Sequence, residues 1–212
     1  MAHESEYVYV VDDDSTVREA LSSLLRANGK NVKLFASGAE YLHYVRHDSA
    51  ACLLLDLNMP EMNGLELQRL ISTSAAIPIV FITGVGDIPS TVKAMKGGAV
   101  DFLTKPIDES ALLATIEGAL QRDKTQRRQA QEHADLTARY QSLTPREKEV
   151  LPLLAAGQLN KQVASDLGIT EYTVQIHRGN IMRKMNADSF AELVRFAEKI
   201  CPELAPEVAK NG

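Results

Sequence analysis

The sequence predicts a two-module chain: an α/β module on a doubly wound five-stranded parallel sheet, then an all-α four-helix module. Three observations carry this. Five short apolar runs alternate with helix-length segments over the first 121 residues. Beyond residue 142 the pattern is purely helical, in short pieces separated by glycines. The charge also changes sign: residues 1–121 hold 9 Lys+Arg against 16 Asp+Glu, a net of −7, and residues 122–212 hold 14 against 12, a net of +2. An acidic half and a mildly basic half permit a nucleic-acid contact at the C-terminal end.

The apolar runs lie at residues 7–11, 32–35, 52–55, 77–82 and 100–103. The segments between them carry explicit helix starts. Ser37 with Glu40 forms a capping-box pattern, Asn63 with Glu66 resembles one, and Asp108 opens a run through Ala111, Leu112, Ile116, Ala119 and Leu120. Gly29 and the pair Gly97 and Gly98 supply stops. Residues 122–142 are rich in Gln, Arg and Ala, lack Gly and Pro, and read as an exposed helical linker, with a disordered tether as the alternative. In the second module, Thr144-Pro145-Arg146-Glu147 combines a capping box with a proline at the first helical position, leading to Val150, Leu151, Leu153 and Leu154. Pro152 should loosen or kink this helix, because it removes the bond to the Lys148 carbonyl. A short helix over 160–167 stops at Gly168, Thr170 caps another reaching about Met185, and Asp188 or Ser189 begins the last. Helix, tight glycine turn, helix is the layout of a helix-turn-helix. Modules are thus expected at 1–121 and 143–200, with a loosely ordered tail over 201–212.

Composition excludes several classes. A chain with 45% hydrophobic and 24% charged residues is neither disordered throughout nor membrane-embedded, and no apolar run approaches 18 residues. The first residues show no basic region followed by an apolar one, so a secretory leader is not expected and a cytoplasmic location is. Cys52 and Cys201 fall in different modules and outside any zinc-binding spacing, which favours two separate thiols over a disulfide.

The chemistry gathers where strands end. The first strand runs into Asp12-Asp13-Asp14, the third into Asp56, the fourth into Thr83, and the fifth into Lys105-Pro106. Each has an ordinary reading alone: Asp14 or Ser15 a helix cap, Asp56 a turn, Thr83 a local backbone bond, Lys105 a solvated cation. Parallel βαβ topology, however, delivers all of them to one sheet edge, where open α/β sheets place their sites. Two carboxylates about 4 Å apart repel by roughly 4 kcal/mol at an effective dielectric near 20. A hard cation is therefore expected. Few oxygen ligands with room left for water and phosphate suit Mg²⁺. With Lys105 and the Thr83 hydroxyl added, the set suits phosphoryl transfer onto a carboxylate.

Val11-Asp12-Asp13, Asp56-Leu57-Asn58-Met59-Pro60 with Gly64, Phe81-Ile82-Thr83-Gly84 and Phe102-Leu103-Thr104-Lys105-Pro106 together resemble the receiver domain of two-component response regulators. The resemblance implies that Asp56 accepts a phosphoryl group from the phosphohistidine of a sensor histidine kinase. It implies Mg²⁺ ligation by Asp12, Asp13, Asp56 and the carbonyl of Asn58, and phosphoryl binding by Thr83 and Lys105. It places Phe102 at an aromatic switch coupled to Thr83, suggests a cis Lys105-Pro106 bond, and implies the strand order 2-1-3-4-5 for the doubly wound sheet. One rival pattern exists: Asp12-Asp13-Asp14-Ser15-Thr16 is similar to the nucleophile motif of haloacid-dehalogenase-type phosphatases, which would make Asp12 the nucleophile. That family needs a further acidic pair on a strand beyond the lysine, whereas Asp108 and Glu109 follow Lys105 at once, and Asp56 would have no role.

In the second module the helix over 171–185 puts Val174, Ile181 and Met185 on one apolar stripe and Gln175, His177, Arg178, Asn180, Arg183 and Lys184 largely elsewhere, a face suited to phosphates and base edges. Leu143-Thr144-Pro145-Arg146-Glu147, Asn160-Lys161, Ala164, Leu167-Gly168, Thr173-Val174, His177 and Lys184-Met185 resemble the LuxR-type four-helix DNA-binding domain. The resemblance implies base-facing positions at Gln175, Ile176 and Gly179, and DNA contacts drawn from Asn160, Lys161, Thr173, Arg178, Asn180, Arg183 and Lys184. Gly179 has no side chain, which shifts direct readout toward Arg178 or Asn180.

Receiver followed by LuxR-type domain resembles the FixJ/NarL class of transcriptional response regulators, with Thr83-Gly84-Val85-Gly86-Asp87 and Ala94-Met95-Lys96 as the FixJ-like features. The class is not enzymatic. Membership implies a homodimer formed on phosphorylation, through a face around Val92, Met95, Lys96 and Asp101, and binding to double-stranded promoter DNA. It also implies contact with RNA polymerase and activation of transcription. A competing function is a DNA-binding protein whose first module is a constitutive scaffold. Such a scaffold has no need of the acidic cluster with its Thr and Lys.

Overall fold

A computed structural model describes residues 5–72, 77–84 and 88–200. The expected loop residues Gly86 and Asp87, the tail over 201–212 and Cys201 lie outside the described residues. The chain divides into two compact units that meet between Arg128 and Gln129.

The first unit is a five-stranded parallel sheet of order β2-β1-β3-β4-β5, with β1 at Tyr7–Val11, β2 at Asn31–Phe35, β3 at Ala51–Asp56, β4 at Ile79–Thr83 and β5 at Asp101–Thr104. Period-two side-chain alternation sends Tyr9, Val11, Leu53, Leu55 and Phe81 into one core layer, and Val8, Val10, Cys52, Leu54, Val80 and Ile82 into the other. Both faces of β3 and β4 are buried, which is why these strands read as continuous apolar runs. Between the strands lie α1 (Ser15–Ala27), α2 (Gly38–His43), α3 (Gly64–Ser72) and α4 (Ile88–Lys96). The cap signals operate: Asp14 accepts from the Thr16 amide, Ser37 from that of Glu40, and Asn63 and Glu66 accept from each other's amides.

Helix α5, Glu109–Gln141, runs unbroken through the segment expected to link the modules. That segment is not wholly exposed. Asp123 is 4% exposed and accepts from the Ala51 amide at the start of β3 (2.9 Å) and from Arg127 Nε (2.9 Å). Arg127 in turn reaches Asp48, and Lys124 pairs with Glu6. Leu136 is buried in the core of the second unit.

That unit consists of α6 (Pro145–Ala155), α7 (Asn160–Leu167), α8 (Glu171–Met185) and α9 (Phe190–Ile200) around Val150, Leu151, Leu154, Val163, Val174, Ile181 and Met185. Thr144 and Glu147 form the full capping box. Pro152 sits inside α6, which continues to Ala155 because Val150, Leu151 and Leu154 are all fully buried along it. Gly168, at φ 64°, ends α7 in the left-handed conformation that admits the tight turn into α8.

Candidate functional site

Register assembles the first site. Val11 pairs with Leu55, Asp56 with Ile82, and Thr83 with Thr104, so Asp12, Asp56, Thr83 and Lys105 leave the sheet at neighbouring points of its carboxyl edge. Gly64 is part of this geometry: a Cβ there would stand 2.5 Å from the Asp56 carbonyl oxygen and 2.9 Å from the Phe81 ring. Only glycine lets α3 begin this close to the end of β3.

The Lys105 ammonium lies 2.8 Å from Asp12 Oδ2 and 2.9 Å from Asp56 Oδ1. Both carboxylates are buried, and their other oxygens accept backbone N–H groups, Asp12 from Asp14 (2.9 Å) and Asp56 from Asn58 (2.7 Å). Burial pushes the Asp12 carboxyl above its usual range, and the neighbouring Asp56 charge adds to this against the bonds from Lys105 and Asp14. Lys105 is pulled down by burial, but the two carboxylates more than reverse this and raise it. One ammonium thus leaves the pair short of positive charge. Thr83 is buried alongside, and its carbonyl accepts from the Lys105 amide at 2.8 Å. The Lys105-Pro106 bond is cis.

Asp13 is exposed, and among the described residues no three His, Cys, Asp or Glu side chains converge on a metal position. Of the three expected carboxylates, Asp12 and Asp56 form a buried pair bridged by Lys105, and Asp13, the next residue along, is exposed. The donor set still fits a hard cation: two carboxylates, a third at the rim and the Asn58 carbonyl are all oxygens, and Mg²⁺ characteristically uses one or two carboxylates plus phosphate and water. Asp14, left open between a cap and a site role, is the N-cap of α1. Arg18 was not anticipated near this edge; its Nη1 donates to the Asp12 carbonyl at 2.6 Å. After Lys105 the described chain is helical, so no further strand carries the acidic pair that the phosphatase pattern requires.

The expected pairing face is mixed. Val92, Met95 and Lys96 are exposed on α4, and Phe102 is 36% exposed on the edge strand β5. Asp101 is engaged internally, accepting from the Phe102 amide and the Thr115 hydroxyl.

In the second unit α8 follows α7 across the Gly168 turn. Gln175, Ile176, Gly179 and Arg183 are exposed, as is Lys161 on α7, and Asn160 donates to Gln175 Oε1 at 2.8 Å. Thr173 closes the N-terminal turn of α8 with Thr170, and Asn180 accepts from Arg183. Two of the expected DNA-contacting cations have internal partners. Lys184 donates to buried Glu147 at 2.7 Å, and Arg178 lies over the Phe190 ring at 4.1 Å. Glu147 is penalised by burial, but Lys184 and the Thr144 amide hold its carboxyl below the ordinary value. Tyr172, in the first turn of α8, was not anticipated and is prominently exposed.

Comparison with known proteins gives both units a family. Residues 8–117 match the response regulator receiver domain, and residues 141–197 match the bacterial regulatory proteins of the luxR family. The response regulator protein TodT of Pseudomonas putida is 47% identical over 94% of this chain and 88% of its own length. The transcriptional regulatory protein FixJ of Bradyrhizobium diazoefficiens is 40% identical over 90% of this chain and 94% of its own. The solved structure of the response regulator StyR superposes with a TM-score of 0.85 at 48% identity, covering 92% of this chain and 99% of that one. No described helix is long and apolar enough to cross a membrane. The chain belongs to the transcriptional response regulators that join a receiver domain to a LuxR-type DNA-binding domain, a non-enzymatic family.

Proposed function

We propose that this protein is a cytoplasmic, phosphorylation-dependent activator of transcription, with its receiver over 1–121, a helical linker over 122–142 and its DNA-binding module over 143–200. The observation that carries the reading is the Lys105 ammonium bound by both Asp12 and Asp56. A sensor histidine kinase presents a phosphohistidine; a carboxylate oxygen of Asp56 forms the new P–O bond, the P–N bond breaks, and its electron pair stays on the imidazole. Asp12, Asp13, Asp56 and the Asn58 carbonyl would hold Mg²⁺, which supplies charge neutralisation for the phosphoryl oxygens.

Phosphorylation replaces the single negative charge of the Asp56 carboxylate by a phosphoryl group carrying about −1.5 to −2 and three strong acceptor oxygens. Lys105 exchanges its carboxylate partners for phosphoryl oxygens, and the Thr83 hydroxyl turns toward them. Phe102 moves inward from its exposed position, and the face of α4 and β5 around Val92, Met95, Lys96 and Asp101 is remodelled to pair two receivers. Paired chains place two copies of α8 on adjacent half-sites of promoter DNA, where avidity raises affinity and RNA polymerase is engaged. Sedimentation and promoter-DNA titration with and without acetyl phosphate and Mg²⁺ test this: dimer and DNA affinity rise together in the wild type and stay flat in Asp56→Asn. Donor-dependent dimerisation that survives in Asp56→Asn would refute it.

A further inference from the structure

Among the described residues of the second unit, the exposed large apolar side chains are Leu159, Tyr172 and Ile176; the others are buried or half-buried. Tyr172 is 76% exposed and Ile176 47%. At 3.6 residues per turn, Tyr172, Gln175, Ile176, Gly179 and Arg183 fall within an arc of about 100° on α8. This face is opposite Val174, Ile181 and Met185, which hold the helix to its core. The aromatic and the β-branched residue therefore stand one turn apart on the surface that the helix turns away from its own domain.

Gly179 lies on the same arc. It is interior to α8, has no positive φ, and an added Cβ would meet nothing within 4 Å. The fold does not require a glycine here, although one costs about 1 kcal/mol in a helix interior. Its absence of side chain benefits only something that approaches from outside. Lys161 and Arg183 bring exposed cations to the face, and Asn160 holds exposed Gln175 by its Oε1, a bond that does not use the Gln175 amide N–H groups. Cations, an amide and two apolar groups around a bare stretch of backbone complement a surface that combines phosphates, hydrogen-bonding base edges and methyl groups.

We propose that Tyr172, together with Ile176, reads thymine methyl groups in the major groove, with the α8 backbone at Gly179 lying against the base edges. The inference rests on the DNA-binding reading above and adds the chemistry of the bases read. Thymine is the base that offers an apolar group in that groove, and burying one methyl is worth roughly a fourfold change in affinity.

The test uses the full-length chain, with and without acetyl phosphate, to select duplexes from a random-sequence pool. Each thymine of a selected duplex is then replaced by deoxyuracil, which removes only the 5-methyl group. The expected result is about fourfold weaker wild-type binding at specific positions. Tyr172→Ala and Ile176→Ala each lose sensitivity at their own position, while their circular dichroism and melting remain those of the wild type. Gly179→Ala should melt higher and bind the selected duplex more weakly; Gly118→Ala, at an equally open helical glycine in α5, should melt higher with binding unchanged. Wild-type indifference to deoxyuracil overturns the inference, as does a Tyr172→Ala profile identical to wild type. A Tyr172→Ala variant that keeps its DNA profile but loses RNA polymerase binding reassigns the face to a protein and overturns it equally. If the wild type enriches no sequence in either condition, the DNA-binding reading itself falls.

Discussion

Lys184 Nζ lies 2.7 Å from Oε2 of Glu147, a carboxylate side chain only 3% exposed, so α8 is tied to the first turn of α6 by an ion pair inside the DNA-binding unit. The same carboxylate accepts from the Thr144 amide and closes the capping box. Lys184→Ala leaves that charge buried with one partner fewer. The expected loss is about 1–3 kcal/mol, below the figure for a fully buried pair because Lys184 keeps some solvent. Denaturant unfolding of the variant should show the loss in the C-terminal transition, and DNA affinity should fall only as far as folding does. A Lys184→Ala protein of wild-type stability with weakened DNA binding would return this lysine to the phosphate contacts.

The pair also sets a pH dependence. Glu147 titrates in the folded chain below its ordinary value of 4.5. In that window the unfolded chain binds the extra proton, so stability rises with pH there. The contribution is fully present above about pH 4.5 and is lost as pH falls through the depressed folded value. Between pH 7 and 3, the C-terminal transition of Glu147→Gln should start lower and decline less steeply than that of the wild type; parallel curves would show that Glu147 contributes nothing to the acid sensitivity.

Burial pushes the Cys52 thiol up to about 12. At pH 8 almost no thiolate exists and none is accessible. In a Cys201→Ser background, Cys52 should stay unmodified by a disulfide-exchange reagent in native buffer and react at once in denaturant. Rapid native labelling would mean that β3 is not packed on both faces.

Asp123 predicts a local effect at the base of the sheet. Asp123→Ala leaves the Ala51 amide and Arg127 Nε without an acceptor, which should cost about 1–3 kcal/mol in the receiver transition. Faster amide exchange should appear at Ala51 and along α5 near residue 123. Unchanged exchange at Ala51 would show that the strand start does not depend on this carboxylate.

Much of the fold was legible because its signals are local. The five apolar runs, the Ser37 and Thr144 caps and the Gly168 turn each declare themselves within a few residues. The meeting of Asp12, Asp56 and Lys105 was legible at longer range, since parallel topology fixes which strand ends are neighbours. What stayed hidden depends on partners distant in sequence. Lys184 looks like any exposed cation on a basic helix face until α6 folds against it, 37 positions earlier in the chain. Asp123 sits in a polar, glycine-free stretch that reads as solvated, and only the start of β3, 72 positions away, buries it. Adjacency in sequence also hides a difference in exposure: Asp12 is buried and Asp13, the next residue, is exposed at the rim, because successive residues leaving a strand point apart.

Phosphate incorporation at Asp56 tests the central claim most directly. The full-length chain is incubated with Mg²⁺ and acetyl phosphate and then treated with tritiated borohydride, which reduces an aspartyl phosphate to tritium-labelled homoserine and releases the phosphate, and the label is located by peptide mapping. Labelling should appear on the peptide containing Asp56, disappear in Asp56→Asn, and fall sharply in Asp12→Asn and when Mg²⁺ is chelated. Undiminished labelling of Asp56→Asn, or label mapped to Asp12 instead, would contradict the account.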